Sequence, residues 1–146
     1  MRQRFDLIAR SDVDASAELG LGAPAQIDLE GPALERRVAL LETDASEEAM
    51  GMDAHYRLRR RLEDAIAAGS PKRGLLVING YRRTPPAERP QQYTNELRLA
   101  AESLRYCLAT TEQMFHAVRA ALSGDSATVE RFRERLLTTE GMLQED

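Results

Sequence analysis

Short apolar runs alternate with longer segments of helical periodicity over most of the chain. The runs that predict strands cover residues 25–30, 37–43, 74–79 and a segment that starts at Tyr106. Helical periodicity occurs at 53–68, at 95–104, after the capping-box pair Thr110 and Gln113, and at 127–137. The three prolines of the loop YRRTPPAERP exclude a helix interior or a central strand there.

Strands that alternate with helices of this length predict a single α/β domain with a mixed, mainly parallel central sheet flanked by helices. Right-handed crossovers would place the strands at residues 37, 74 and 106 side by side, with the helix at 53–68 packed across them. The domain is predicted to span residues 25–137. A weakly patterned segment, 1–24, precedes it, and a tail, 138–146, follows that we expect to be frayed.

The chain has 146 residues, enough for one domain with a sizeable core. No run approaches the roughly 18 to 20 apolar residues of a membrane span, and the N-terminus MRQRFDLIAR lacks the apolar core of a signal peptide. We therefore expect a cytoplasmic protein that makes no membrane contact. Its one cysteine, Cys107, lies in an apolar run, which predicts a buried and unreactive thiol.

The charges are unevenly distributed. The net charge of −4 argues against a general nucleic-acid binder, but residues 51–110 carry 11 basic residues against 6 acids, and both flanking segments are acidic. A basic middle favours a surface that faces a polyanion such as DNA. It is equally typical of a dipolar surface that helps protein subunits, or copies of one chain, to pack together.

The strand at 37–43 runs into two acids, Glu42 and Asp44, with one residue between them. Alternation along a strand points both carboxylates the same way. They could form a metal site, a metal site that has lost its activity, or the solvent end of a strand. The two histidines lack metal-ligand spacing, so zinc is not expected. We expect His55 at the surface or an interface, and His116 in the core.

Two stretches, KRGLLVINGYRRTPPAERPQQYT and AAESLRYCLATTEQMFHAV, resemble the C-terminal half of bacterial restriction-endonuclease-like domains, the PD-(D/E)XK nuclease superfamily. The resemblance covers about residues 26–122. In that family the active-site strand carries apolar residues followed by Glu-x-Lys, then a small polar loop and a helix. The segment VALLETDASEEAMGMD lies at the corresponding place.

The resemblance implies that Asp28, or Glu30 in its place, and Glu42 correspond to the family's acidic ligands. Two such carboxylates would hold Mg²⁺ in the family, and Mg²⁺ prefers hard oxygen ligands. Asp44 stands where the family has lysine. A carboxylate there could add to a metal site with Asp28 and Glu42, but it cannot stabilise charge on a scissile phosphate. Lys72, the one lysine, precedes the next strand and is predicted to lie at the opposite end of the sheet.

Arginines take the place of the missing lysine as the cations near this strand. The candidates for contact with nucleic-acid phosphates are Arg57, Arg60, Arg61, Arg82 and Arg83. For the arginine run that contains Arg57, Arg60 and Arg61, a solvated helix face is a more common role than phosphate contact, and arginine cannot serve as a base. Two function classes follow. One is a divergent nuclease-like domain with weak or no Mg²⁺-dependent phosphodiesterase activity, and the other is a non-catalytic structural or adaptor subunit.

Overall fold

A computed structural model describes residues 25–28 and 38–145 of the chain. The five strands are β1 (Ala25–Asp28), β2 (Val38–Ala45), β3 (Arg73–Asn79), β4 (Cys107–Thr110) and β5 (Gly141–Met142). They form one sheet in the order β1-β2-β3-β4-β5, in which β1 is antiparallel to β2 and the other pairs are parallel. The predicted α/β class and the adjacency of the strands at 37, 74 and 106 are confirmed.

Four α-helices and one 3₁₀ helix, Pro86–Glu88, lie between the parallel strands; the α-helices are α1 (Asp53–Ala67), α2 (Asn95–Ser103), α3 (Thr111–Leu122) and α4 (Ser126–Thr138). The predicted capping box at the start of α3 is present, because Thr110 Oγ1 accepts from the Gln113 amide and Gln113 Oε1 accepts from the Thr110 amide. Local hydrogen bonds of this kind fix where a helix begins. Among the described residues, no helix has the length and apolar content to cross a membrane.

The alternation of side chains along β3 divides the core between the two faces of the sheet. Leu76 and Ile78 pack with α1 and α2 in one cluster, and Leu75 and Val77 pack beneath α4 in another. The first cluster contains Met50, Ala54, Leu58, Leu76, Ile78, Leu97, Ala101, Tyr106 and Leu108. The second contains Leu75, Val77, Cys107, Ala109, Leu136 and Leu143. Helices therefore cover both faces of the sheet, as predicted.

The chain changes face between two neighbouring strands. The connection that leaves the carboxyl end of β3 leads to α2 on the first face, whereas β4 leads directly into α3, which packs on the second face. Adjacent parallel strands whose connections diverge in this way leave a crevice outside their carboxyl ends.

The prediction of a frayed tail is wrong for residues in the middle of that segment. Residues 141–142 form β5 beside β4, the Leu143 amide donates to the Leu108 carbonyl, and Leu143 is 2% exposed. Gly141 adopts a φ of +97°, a conformation that favours glycine. A strand of two residues leaves too short an apolar run to be recognised by its period. The predicted segment 1–24 lies outside the described residues.

Candidate functional site

Glu42 and Asp44 lie on the side of β2 that faces α1, as strand alternation predicted. Arg57, near the start of α1, bridges the two acids: its Nε donates to Glu42 Oε1 at 3.0 Å, and a terminal nitrogen donates to Asp44 Oδ2 at 2.9 Å. Asp44 is 30% exposed, whereas the Glu42 side chain is 2% exposed. The strand therefore does not simply run out into solvent, because its first acid is enclosed.

Arg61 takes the second oxygen of Glu42. It lies one helical turn after Arg57, so both guanidinium groups leave the same side of α1. One Arg61 nitrogen donates to Glu42 Oε2 at 3.1 Å and to the Leu41 carbonyl at 2.9 Å. Both oxygens of the buried carboxylate thus accept from guanidinium groups. We refer to Glu42, Asp44, Arg57 and Arg61 as the arginine–carboxylate cluster.

The cluster is electrically balanced, with two guanidinium groups facing two carboxylates. Burial acts to lower the pKa of Arg57, but hydrogen bonds and attraction from Asp44 and Glu42 outweigh it and raise that pKa above its ordinary value. The other terminal nitrogen of Arg61 is buried and has no hydrogen-bond partner within the described part of the chain. That unsatisfied donor adds a desolvation cost to the burial of Arg61. The pairing with Glu42 must offset this cost, so it matters more to the stability of the fold.

The structure does not bring Asp28 to this cluster. Asp28 pairs with Val38 in the antiparallel register of β1 and β2, four positions along the strand from Glu42. At about 3.3 Å per residue, the two backbones are roughly 13 Å apart along the strand. A shared Mg²⁺ would need ligand oxygens at about 2.0–2.1 Å from the ion, so this backbone separation does not favour a site that the two residues share. The substitute, Glu30, falls outside the described residues.

The described residues around Glu42 favour ion pairing over a divalent metal, because guanidinium groups bind both carboxylate oxygens. Within residues 25–28 and 38–145, no group of three or more histidines, cysteines or acids is arranged to hold an ion. A cation at Glu42 would have to displace two guanidinium groups and would be repelled by both. Lys72 offers no replacement for the family's lysine: its neighbour Arg73 pairs with Ala39, whereas Glu42 pairs with Leu76, three residues further along β3.

The five arginines proposed for phosphate contact are mostly engaged by acids. Arg57 and Arg61 face inward to Glu42, and Arg82 and Arg83 both pair with Glu47, at 3.4 and 2.9 Å. Arg60 is exposed and makes no ion pair with any of the described residues. Exposed ion pairs are weak enough to exchange partners. These five arginines nevertheless do not form a group of unpaired cations that is ready to bind phosphates.

The two histidines are placed opposite to prediction. His55 is 4% exposed, and its Nδ1 lies 2.8 Å from the hydroxyl of buried Tyr106. Burial, with a smaller effect from Arg59, lowers the pKa of His55, and burial raises that of Tyr106. His116 is exposed, because α3 rests on the sheet through its other side. The sequence signal missed was Tyr106, whose hydroxyl needs a partner once the ring is buried.

Cys107 is fully enclosed in the second cluster, as predicted. Burial raises the pKa of its thiol to about 12, which outweighs the opposite effect of Arg73 and Arg135. The thiolate is therefore scarce at neutral pH, and the side chain behaves as a small apolar group.

The loops after β2 and β3 are joined at the carboxyl edge of the sheet, which the sequence pattern did not indicate. The Met50 amide donates to the Gln92 carbonyl at 2.8 Å, and the Thr94 amide donates back to the Met50 carbonyl at 3.0 Å. Arg89 secures the proline loop by donating to the Thr84 carbonyl and Asn79 Oδ1, both at 2.8 Å. These bonds give the loop a defined shape.

Comparison with known proteins yields no match to a protein-family model, to a curated protein or to a solved structure. The α/β fold and the arginine–carboxylate cluster therefore stand on the geometry described above. Membership of the PD-(D/E)XK superfamily stays a prediction from the sequence resemblance.

Proposed function

We propose that this chain is a non-catalytic domain, divergent from restriction-endonuclease-like nucleases, that serves as a structural or adaptor subunit. The observation that carries the proposal is the state of Glu42. This residue corresponds to an acidic metal ligand of the family, yet it is 2% exposed, and each of its oxygens accepts from a different arginine.

Such a cluster supplies the charge balance that a metal ion would supply in a nuclease, but none of its chemistry. A divalent ion lowers the pKa of a bound water and so generates the attacking hydroxide. Arginine stays protonated and cannot act as a base. Asp44, at the lysine position, adds a negative charge where negative charge develops on a phosphate. Hydrolysis is therefore disfavoured both by the lack of an activated water and by this repulsion.

The exposed surface favours a protein partner over DNA. Four of the five candidate phosphate-binding arginines already pair with acids. In contrast, α3 exposes two large apolar side chains one heptad apart, Phe115 at 58% and Leu122 at 68%. Interaction surfaces are typically rich in exposed apolar groups, so we propose this side of α3 as the contact surface.

A cleavage assay tests the proposal with wild type, Asp44→Lys and Glu42→Ala on single- and double-stranded DNA in Mg²⁺ or Mn²⁺. Asp44→Lys recreates the Glu-x-Lys spacing and is the variant most able to reveal a latent nuclease. We expect no cleavage by any of the three, because the Asp28 backbone lies far from Glu42 along the strand. A lysine at position 44 would not by itself restore the pair of acidic ligands that a metal ion needs. Metal-dependent cleavage by wild type or Asp44→Lys that Glu42→Ala abolishes would contradict the proposal.

DNA binding is measured beside it at low salt, where phosphate contacts are strongest. The adaptor role predicts no binding that distinguishes wild type from Arg82→Ala/Arg83→Ala. Tight binding that those substitutions weaken would instead favour a domain that kept nucleic-acid recognition and lost only catalysis.

A further inference from the structure

Helix α3 lies on the second face of the sheet with none of its residues fully buried. The other three α-helices each bury two or more side chains. Met114, which packs against the second cluster, is itself only partly buried. The outward side of α3 carries Phe115 and Leu122, which are 58% and 68% exposed. This helix therefore has an apolar outer side that the described part of the chain does not cover.

Four residues form a stripe along this outward side. Val118 lies between Phe115 and Leu122, and Thr111 lies one turn before them, so the spacing is four, three and four residues. Apolar positions of paired helices have this spacing, because it lets side chains of one helix fit between those of its partner. Val118 is half-buried and Thr111 is exposed. We refer to Thr111, Phe115, Val118 and Leu122 as the α3 stripe.

The exposed apolar residues of α1 do not form a comparable stripe. Tyr56 and Ile66 are 56% and 64% exposed, similar to the pair on α3. Arg59 and Glu63 lie between them on the same side of α1, however, and form an ion pair at 2.8 Å. A partner helix laid along this side of α1 would meet charged groups, whereas one laid along the α3 stripe would meet apolar groups.

One flank of the α3 stripe carries opposite charges at its two ends. Glu112 and Arg119 are seven residues apart, close to two helical turns, so both leave the same flank of α3. The Arg119 guanidinium carbon lies 6.0 Å from the centre of the Phe115 ring. Neither Glu112 nor Arg119 forms an ion pair with another described residue. A second helix with the reverse order of charges would therefore complement this flank.

A second copy of α3, laid antiparallel to the first, has that order of charges. With a twofold axis across the middle of the helix, Phe115 of one copy faces Val118 of the other, and the outer two stripe residues face each other. The same axis brings Glu112 within two residue positions of Arg119 of the other copy, about 3 Å along the helix. Long side chains span that offset. Closed dimers use self-complementary patches of this kind.

From the spacing of the stripe and the charges beside it, we infer that α3 is a homodimer interface, at which two copies of the chain pair their α3 helices antiparallel. The inference rests on the proposed function, which assigns this side of α3 to protein contact, and it names the partner as a second copy. A helix of 12 residues is about 18 Å long. One helix pair of this length buries less than the roughly 1,200–2,000 Å² of a standard stable interface, so we expect a weak, concentration-dependent dimer.

Analytical ultracentrifugation of the full chain over about 5–500 μM covers the range of such weak affinities. We expect the average mass to rise from that of one chain towards that of two. Phe115→Ala/Leu122→Ala should weaken the association by about tenfold or more, while alanine preserves the helix. Tyr56→Ala/Ile66→Ala is the matched control, because it removes similarly exposed side chains from α1, and it should leave the association unchanged.

Two single charge changes test the antiparallel arrangement. Arg119→Glu and Glu112→Arg each place like charges opposite one another across the interface, so each variant alone should associate more weakly than wild type. An equimolar mixture of the two variants restores opposite charges. At low salt, where exposed pairs are least screened, the mixture should associate about threefold more tightly than either variant alone. Recovery on mixing also shows that both variants are folded.

Three results would overturn the inference: the mass of a single chain at every concentration, equal weakening by the two alanine variants, or a mixture that associates no more tightly than its components. A monomer would leave the adaptor role standing with a different protein as partner, because the cleavage and DNA-binding assays test that role separately. Metal-dependent cleavage, conversely, would contradict the adaptor role without changing the measured mass.

Discussion

Removal of the Glu42 carboxylate tests whether the arginine–carboxylate cluster supports the fold. Glu42→Gln keeps the size of the side chain but removes its charge, leaving Arg57 and Arg61 facing a neutral group. Arg57 is 43% exposed and can recover water, but Arg61 is 18% exposed and already has one unsatisfied nitrogen. We therefore expect the loss to come mainly through Arg61.

The size of the effect follows from burial. Removing one partner of a fully buried ion pair costs about 3–5 kcal/mol, and the exposure of Arg57 reduces this to about 2–4 kcal/mol for Glu42→Gln. Asp44→Asn is the matched control, because it removes the same charge from a pair that is partly exposed on both sides. Its cost should be about 0–1 kcal/mol.

Urea unfolding followed by circular dichroism measures both values as free energies of unfolding, provided the slope with denaturant is unchanged. A ligand acid of a working metal site behaves differently, since its removal relieves repulsion between clustered carboxylates. Unchanged or increased stability of Glu42→Gln would therefore refute the structural role assigned to this carboxylate.

Three further predictions concern the core and the loops. Burial lowers the pKa of His55, so the unfolded chain binds the proton more readily than the folded protein does. The contribution of neutral His55 to the free energy of unfolding should be fully present above the unfolded pKa of about 6.5 and should fall as the pH drops below that value. Urea unfolding at several pH values should show a smaller loss of stability in His55→Gln than in wild type. Gly80→Ala should destabilise strongly in the same assay, since a Cβ there would lie 2.4 Å from the Gln92 carbonyl oxygen, whereas Gly51→Ala meets nothing within 4 Å and serves as the control. Cys107 should react with a thiol reagent only after denaturant is added, because it is 0% exposed; rapid reaction of the folded protein would show that the second face of the sheet is open.

Most of the fold follows from sequence periodicity, because its elements are long enough to show it. The run GLLVIN predicted a strand buried on both faces, and Gly74 to Ile78 are buried in the structure. Residues 141–142 were missed since two residues carry no period, and β5 is defined by its bonds to β4 rather than by its own pattern. The placement of helices on each face of the sheet likewise depends on tertiary packing.

The direction in which Glu42 and Asp44 point was predictable from the sequence, but the groups that bind these carboxylates were not. Strand alternation placed Glu42 and Asp44 on one side, and Arg57 and Arg61 share a helix flank beside the apolar stripe at Leu58. Arginines beside an apolar stripe snorkel to water on either flank, so the sequence could not tell which of them face a strand. Only the packing of α1 against β2 showed that these two take the oxygens a metal would need.

A Mn²⁺ titration followed by amide NMR tests the central claim most directly, namely that arginines and not a metal ion hold the Glu42 carboxylate. A bound Mn²⁺ broadens the signals of nearby residues. We predict no selective or saturable broadening at Glu42, Asp44 or Arg57, and a hydrogen-bonded Arg57 Nε–H signal that persists throughout the titration. Saturable broadening centred on Glu42 and Asp44, with loss of that Arg57 signal, would contradict it.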